Sequence, residues 1–176
     1  MRLYSILILF FPLTALFAQQ KVNPVIKTTG GIYEIPVATV KPDPELNYKM
    51  VVDVASGHSS PDSLRQGLYR VARMMNLFAV GGVPNDHVEV VLAIHGGATI
   101  GVMNNQAYQA KFGTDNPNLE LLQELKSAGV RLTVCGQSLV GRDIPFESVT
   151  SEVEIATSML TTVAMYQMQG FSLIAF

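Results

Sequence analysis

The chain has 176 residues, of which 48% are hydrophobic and 15% are charged, and its formal net charge is −2. This length and apolar content are sufficient for one globular domain with a buried core. Lysine and arginine are scattered along the sequence, without the basic patch typical of nucleic-acid binding proteins. We therefore expect no nucleic-acid partner.

Residues 1–18 are typical of a secretory signal peptide. Arg2 supplies a positive charge, Leu3–Phe17 is almost wholly apolar, and Ala18 precedes a polar stretch. The apolar run is shorter than the ~20 residues that a membrane-spanning helix needs. We predict cleavage near Ala18, a periplasmic or secreted mature protein, and no stable membrane insertion after cleavage.

Residues 19–48 are predicted to form a proline-rich N-terminal arm, with the globular domain following at 49–176. Ile32–Val40 is predicted as an edge strand that is interrupted at Pro36, because proline has no N–H for a sheet hydrogen bond. We expect the arm to lie over the domain or over a neighbouring subunit.

Apolar runs and helical patterns alternate regularly through the globular domain. Strands, each a short apolar run of the kind found in sheets covered on both faces, are predicted at 49–54, 88–94, 130–134, 153–156 and 171–176. Helices, placed by capping residues and apolar periodicity, are predicted after Ser60–Pro61, around 105–112, after Asn116–Pro117, at Gly136, and over 158–169. This alternation predicts a single three-layer α/β domain with a mainly parallel sheet of about five strands and helices on both faces.

Small and polar residues follow the carboxyl ends of the first four strands, including Thr157–Ser158 after the fourth. In an open parallel sheet ligands bind at this edge, where glycines permit close approach and backbone N–H groups can hold anions. Strand-to-helix turns also require such residues whatever the function. The candidate ligand-binding residues at this edge are Ser56, Gly57, His58, Gly96, Gly97, Gly136, Gln137 and Ser138.

Cys135 is the single cysteine of the chain, and it ends the third strand where a helix begins. A helix N-terminus favours negative charge and therefore the thiolate, the form that attacks and carries sulfur. A lone cysteine is equally consistent with a small buried hydrophobe. In an exported domain the thiol has no internal disulfide partner, so it is buried, paired between chains, or used chemically.

His95 directly follows the second strand, and we predict that it reaches Cys135 as a base or a positive neighbour. No metal site is expected because neither H-x-x-x-H nor C-x-x-C occurs, and the absence of nucleotide-binding glycine motifs argues against a cofactor. A Cys-dependent hydrolase lacks a convincing third triad residue, since Asp53 lies inside a strand and Asp143 follows the helix.

Four blocks of sequence resemble the DsrE/DsrF-like family. They are VVLAIHGGAT, NPNLELLQELKSAG, GVRLTVCGQSLVGRDI and SMLTTVAMYQMQGFSLIAF. The resemblance covers roughly residues 49–176 and implies a small parallel α/β domain that assembles into trimers or hexamers. It also implies that sulfur is passed as a persulfide, as in sulfur oxidation or tRNA thiolation. Cys135 matches the acceptor cysteine of the family's sulfur carriers, and Arg142 approximately matches an arginine near the end of the next helix.

The export signal, the His-Gly-Gly loop and the arm are not features of those cytoplasmic carriers, and they look like those of an exported branch. The leading hypothesis is a sulfurtransferase-like carrier in which Cys135 accepts sulfane sulfur as a persulfide. The amides of Gly136 and Gln137 would stabilise its charge, His95 would tune the thiol, and Arg142 would attract an anionic donor.

Partners under this hypothesis are a sulfur donor or acceptor protein, or a small anion. The alternative is a non-catalytic, oligomeric module with a structural cysteine, which binds a small ligand between Ser56, His95 and Cys135.

Overall fold

A computed structural model describes residues 19–56 and 60–176. The predicted signal peptide, residues 1–18, lies outside the described residues, as do the candidate site residues Gly57 and His58. No helix within the described ranges combines the length and the apolar character needed to cross a bilayer.

Within these ranges, five strands form one sheet in which every neighbouring pair is parallel. The strands are β1 (Tyr48–Val54), β2 (Val88–Ile94), β3 (Arg131–Cys135), β4 (Glu154–Ala156) and β5 (Ser172–Ala175), in the order β4-β3-β2-β1-β5. The helices are α1 (Gln66–Val80), α2 (Asn105–Phe112), α3 (Leu119–Ser127), α4 (Gly136–Val140) and α5 (Met159–Met168). The predicted parallel α/β fold is confirmed.

The central strands are apolar on both sides because helices cover both faces of the sheet. Successive residues of a strand point to opposite faces, so Val52 and Val54 join the large core beneath α1 and α3, whereas Val51 joins a smaller core beneath α5. Burial of each such side chain stabilises the fold by about 1.5–3 kcal/mol. Of the helices in the described residues, only α5 contributes to the smaller core on the second face, which is the face of the candidate site.

Helix α1 begins later than the sequence predicts. The Ser60–Pro61 signal favours a start there, but the helix starts at Gln66. The Arg65 amide donates to Asn118 Oδ1 at 2.7 Å, and the Tyr108 hydroxyl donates to the Pro61 carbonyl at 2.6 Å. Side chains distant in sequence thus hold the backbone of residues 60–65 out of the helix.

The arm packs on its own domain without forming the predicted edge strand. A single antiparallel bridge joins Val22 to Ile32, and the chain turns at Pro36, where the Ala38 amide donates to the Ile35 carbonyl. The prediction of a strand over 32–40 is therefore wrong, because proline cannot donate a ladder hydrogen bond. Ile32 is nevertheless almost completely buried, which anchors the arm.

Candidate functional site

The thiol of Cys135 lies at the carboxyl edge of the sheet, between the starts of two helices. Cys135 ends β3, and α4 begins at the next residue, Gly136. A Cβ on Gly136 would approach the Ala156 carbonyl to 3.0 Å, so glycine lets this turn press against the end of β4. The start of α5 follows β4 directly, and Cys135 is 4% exposed between these elements.

The protein environment lowers the pKa of the Cys135 thiol. Burial raises the pKa, because a charge is less stable away from water. Hydrogen bonds to the thiolate from the Ser138 hydroxyl, the Met159 amide, the Ser138 amide and the Ser158 hydroxyl outweigh burial and hold the pKa below its ordinary value. The arrangement therefore favours the nucleophilic form of sulfur.

The donors to the thiolate differ in part from those predicted. Ser138 is a predicted site residue and supplies both an amide and a hydroxyl. The amides of Gly136 and Gln137, which were the predicted anion holders, are not among the donors named above, and Gln137 is exposed. Ser158 and Met159 take that role from the start of α5. The sequence places Ser158 at this sheet edge, but not its contact with the thiol.

His95 pairs with Asp53. Within the described residues, His95 makes no hydrogen bond to Cys135. His95 Nε2 lies 2.6 Å from Asp53 Oδ1, and the two side chains are 22% and 25% exposed. The predicted direct contact with Cys135 is thus replaced by a pair across β1 and β2. Asp53 was set aside from the sequence because it lies inside a strand, although a carboxylate between the buried valines of β1 is itself a signal of a role.

Sheet register nevertheless puts His95 next to Cys135. Ile94 pairs with Val134, so His95 and Cys135 are the next residues of adjacent strands. The Gly96 amide donates to Ser138 Oγ at 3.3 Å, and Ser138 in turn contacts the thiol. The His95 loop and the cysteine are therefore connected through one hydroxyl.

Gly96 gives this loop its shape. Its φ of +53° is in the left-handed region that favours glycine, and a Cβ there would approach the Ala55 carbonyl to 3.2 Å. The His95 amide donates to the Val54 carbonyl at 3.0 Å, which draws the loop over the end of β1. Gly97 follows, partly exposed, in a 3₁₀ turn over Gly96–Val102.

Two predicted site residues make no hydrogen bond to Cys135, Ser138 or His95 within the described residues. Ser56 is exposed and its hydroxyl donates to the Phe176 carbonyl at 3.4 Å, beyond the end of β5. Arg142 is exposed just after α4, and its side chain has no hydrogen bond or ion pair among the described residues. Across the same described ranges, no group of three or more His, Cys, Asp or Glu side chains is arranged to hold a metal ion.

The fold and the site define a small parallel α/β domain with a stabilised thiolate at the carboxyl edge of its sheet. The chain belongs to the DsrE/DsrF-like family, which matches residues 49–176 and is associated with sulfur relay in general. The predicted family resemblance is thereby confirmed.

The solved structures that are similar to this chain include the following two. One is a protein of unknown function, MTH1491, from Methanobacterium thermoautotrophicum, with 16% identity and a TM-score of 0.54. The other is the ychN protein from E. coli, with 21% identity and a TM-score of 0.49. Each comparison covers 73% of this chain and 99% of the other. No curated protein matches the chain. The likeness to MTH1491 supports the fold alone.

Proposed function

We propose that this protein carries sulfane sulfur as a persulfide on Cys135, in the periplasm or outside the cell. The observation that carries the proposal is the position of Cys135 at the sheet edge, where hydroxyl and amide donors at the starts of α4 and α5 lower the pKa of its thiol. The predicted signal peptide supports the location, and the sulfur-relay association of the family supports the chemistry.

Sulfur uptake is a displacement in which the Cys135 thiolate attacks the sulfane sulfur of a polysulfide or persulfide donor. An S–S bond forms to Cys135 Sγ, and the bond from that sulfur to the donor breaks. A persulfide donor leaves as a thiolate, and a polysulfide donor leaves as a polysulfide shorter by that sulfur. In release, an acceptor thiolate attacks the outer sulfur, takes it as its own persulfide, and frees the Cys135 thiolate. The hydrogen bonds from Ser138, Ser158 and Met159 stabilise that leaving thiolate.

His95 and Asp53 supply proton transfer in this scheme. The Asp53 carboxylate accepts a hydrogen bond from His95 Nε2. This contact favours the tautomer in which Nε2 carries the proton and Nδ1 is unprotonated. Nδ1 can then take the proton of an acceptor thiol as that thiol becomes the attacking thiolate. Arg142 attracts anionic donors from its exposed position after α4.

The assembly expected of this protein is a trimer or hexamer that covers the outer side of α5. Leu160 is 73% exposed and Met168 is 90% exposed, although α5 is apolar on both sides. Apolar side chains exposed together on one helix mark an interaction surface. A second copy of the chain would bury them beside the candidate site, since Cys135 contacts the start of the same helix.

The deciding experiment is intact mass spectrometry of the mature protein after exposure to inorganic polysulfide. We expect a mass gain of whole sulfur atoms that a reducing agent removes, and no gain in Cys135→Ser. Arg142→Gln should slow uptake of the anionic donor, whereas Lys111→Gln on α2 should not. A sulfur gain that persists in Cys135→Ser, or no gain in the wild-type protein, would contradict the proposal.

A further inference from the structure

The outer side of α1 carries a groove with a cationic end and an apolar end. At the cationic end, a cavity of about 490 Å³ lies between Arg70, Arg73 and the residues Ile174 and Phe176 at and after β5. At the other end, a cavity of about 560 Å³ lies between the arm and the last turn of α1. Leu77 lines both cavities, so the two cavities adjoin at its side chain, and together they are called the groove.

The helix sets the order of charge along this groove. Arg70, Arg73 and Leu77 follow each other at helical spacing on one face of α1, and Val80 stands one turn further. With a rise of about 1.5 Å per residue, the apolar end at Val80 lies roughly 10 Å from Arg73. The groove therefore has the length and the polarity of an amphiphile.

The two arginines place two positively charged side chains in the lining of the first cavity. Its lining contains no carboxylate side chain, and neither arginine takes part in an ion pair within the described residues. The Arg70 guanidinium lies 5.8 Å from the centre of the Phe176 ring, which holds it over an aromatic floor. Planar guanidinium groups bind carboxylates and phosphates with paired hydrogen bonds, so this end suits an anionic head such as a carboxylate.

The arm provides the apolar end. Ile35 and Val40 are 54% and 92% exposed, and Leu77 is 47% exposed. Glu34 and Lys41 also line this cavity, but their opposite charges offset each other. Apolar side chains exposed together in a concavity of this size are typical of a ligand-binding groove.

We propose that this groove binds a free long-chain carboxylate, with its head between Arg70 and Arg73 and its chain over Leu77 and the arm. The groove lies on the α1 side of the sheet, whereas Cys135 faces α5, so the two sites are separate. This binding is independent of the proposed persulfide chemistry, and either can fail without the other.

The test is a calorimetric titration of the mature wild-type protein with decanoate below its micelle concentration, with amide NMR shifts to locate the site. We expect shifts confined to α1, β5 and the arm. Acetate and decyltrimethylammonium, which lack the chain and the negative head respectively, should bind at least about tenfold more weakly. Cys135→Ser should bind decanoate like the wild type.

Variants separate the two ends of the groove. Arg70→Gln/Arg73→Gln and Leu77→Asn should each weaken decanoate binding about tenfold, while Lys111→Gln on α2 should leave it unchanged. All the substituted side chains are exposed, so their replacement removes no core packing. The amide NMR shifts of the wild-type protein locate the site without any variant. The proposal is overturned by equal binding of decanoate and decyltrimethylammonium, by binding only to anionic phospholipid vesicles, or by shifts away from α1. The wild-type protein could also fail to bind decanoate while Arg70→Gln/Arg73→Gln dissociates an oligomer. That result would overturn the proposal and make the groove a subunit interface.

Discussion

The thiol of Cys135 combines two properties that usually oppose each other. Burial at 4% exposure disfavours a thiolate, yet hydroxyl and amide donors from two helix starts favour it more strongly. The folded-state pKa is therefore lower than the unfolded-state pKa. The thiolate contribution to stability is present above the unfolded-state pKa, and it is lost as the pH falls through the folded-state pKa.

Thiolate absorbance near the far-ultraviolet edge tests this environment, because Cys135 is the single cysteine. We expect the absorbance midpoint of the wild-type protein to lie below that of an ordinary cysteine. Ser138→Ala should raise the midpoint, because the Ser138 hydroxyl lowers the pKa of the Cys135 thiol. Exposed Ser127 provides the matched control, and a midpoint that moves equally in Ser127→Ala would contradict the assignment. Cys135→Ser supplies the baseline.

The carboxylate of Asp53 gives a second prediction at this scale. Asp53→Asn removes the negative charge that favours a proton on His95 Nε2, and it changes none of the donors to Cys135. Release of persulfide sulfur to an added thiol should slow by at least about tenfold, with a changed pH profile, as for loss of a general base. The thiolate absorbance midpoint should stay where it is in the wild type. An unchanged release rate would mean that the Asp53–His95 pair only holds the His95 loop in place and does not take part in proton transfer.

These residues also show how far sequence reasoning reaches. Cys135, Ser138 and the His95 loop were predictable, because a parallel sheet brings strand ends to one edge. The contact of Met159 with the thiol was not, since it depends on how closely α5 starts beside β3. The pairing of Asp53 with His95 depends on sheet register, and no local pattern encodes it.

At the scale of elements, Asn76 on α1 fastens the arm to the domain. Its fully buried side chain accepts hydrogen bonds from the amides of Val25 and Ile26, at 3.0 and 2.9 Å, and donates to the carbonyls of Ile26 and Gly30. One side chain thus satisfies backbone groups that have no strand partner. These hydrogen bonds join residues distant in sequence, so no local pattern in residues 25–30 predicts them.

Asn76→Ala should lower the free energy of unfolding by about 2–4 kcal/mol, because it leaves several buried backbone groups without partners. Urea unfolding measures this loss, and hydrogen exchange should show lost protection at residues 22–32. Asn85→Ala is the matched control: Asn85 is exposed and donates one hydrogen bond, to the Ala128 carbonyl at 2.9 Å. Equal losses in the two variants would contradict a special role for Asn76.

The two ends of α1 differ in whether the local sequence determines them. The end of α1 was predictable from Gly81–Gly82, since Gly82 has a φ of +84° that favours glycine. Its start was not, because Asn118 and Tyr108 override the Ser60–Pro61 capping pattern. Strand β2 matches its predicted range, since the apolar run itself sets its length.

At the scale of the whole molecule, the two faces of the sheet are covered unequally. α1, α3 and the arm bury a large core on one face, whereas α5 alone covers the other and leaves its own outer side apolar. The alternation of strands and helices predicts the parallel sheet, but it does not say which helix lies on which face. The exposed apolar outer side of α5 is therefore the surface on which we expect assembly.

Assembly through α5 is the prediction that belongs to this scale. Leu160→Glu/Met168→Glu should convert a trimer or hexamer into a monomer in size-exclusion chromatography with light scattering, because two carboxylates would be buried in the interface without partners. The same change should leave far-ultraviolet circular dichroism unaltered, since both side chains are largely exposed within one chain. Val37→Glu, on the 86% exposed Val37 of the arm, is the matched control and should remain assembled. A monomeric wild-type protein would reject the assembly, and an oligomeric double variant would move the interface to another surface.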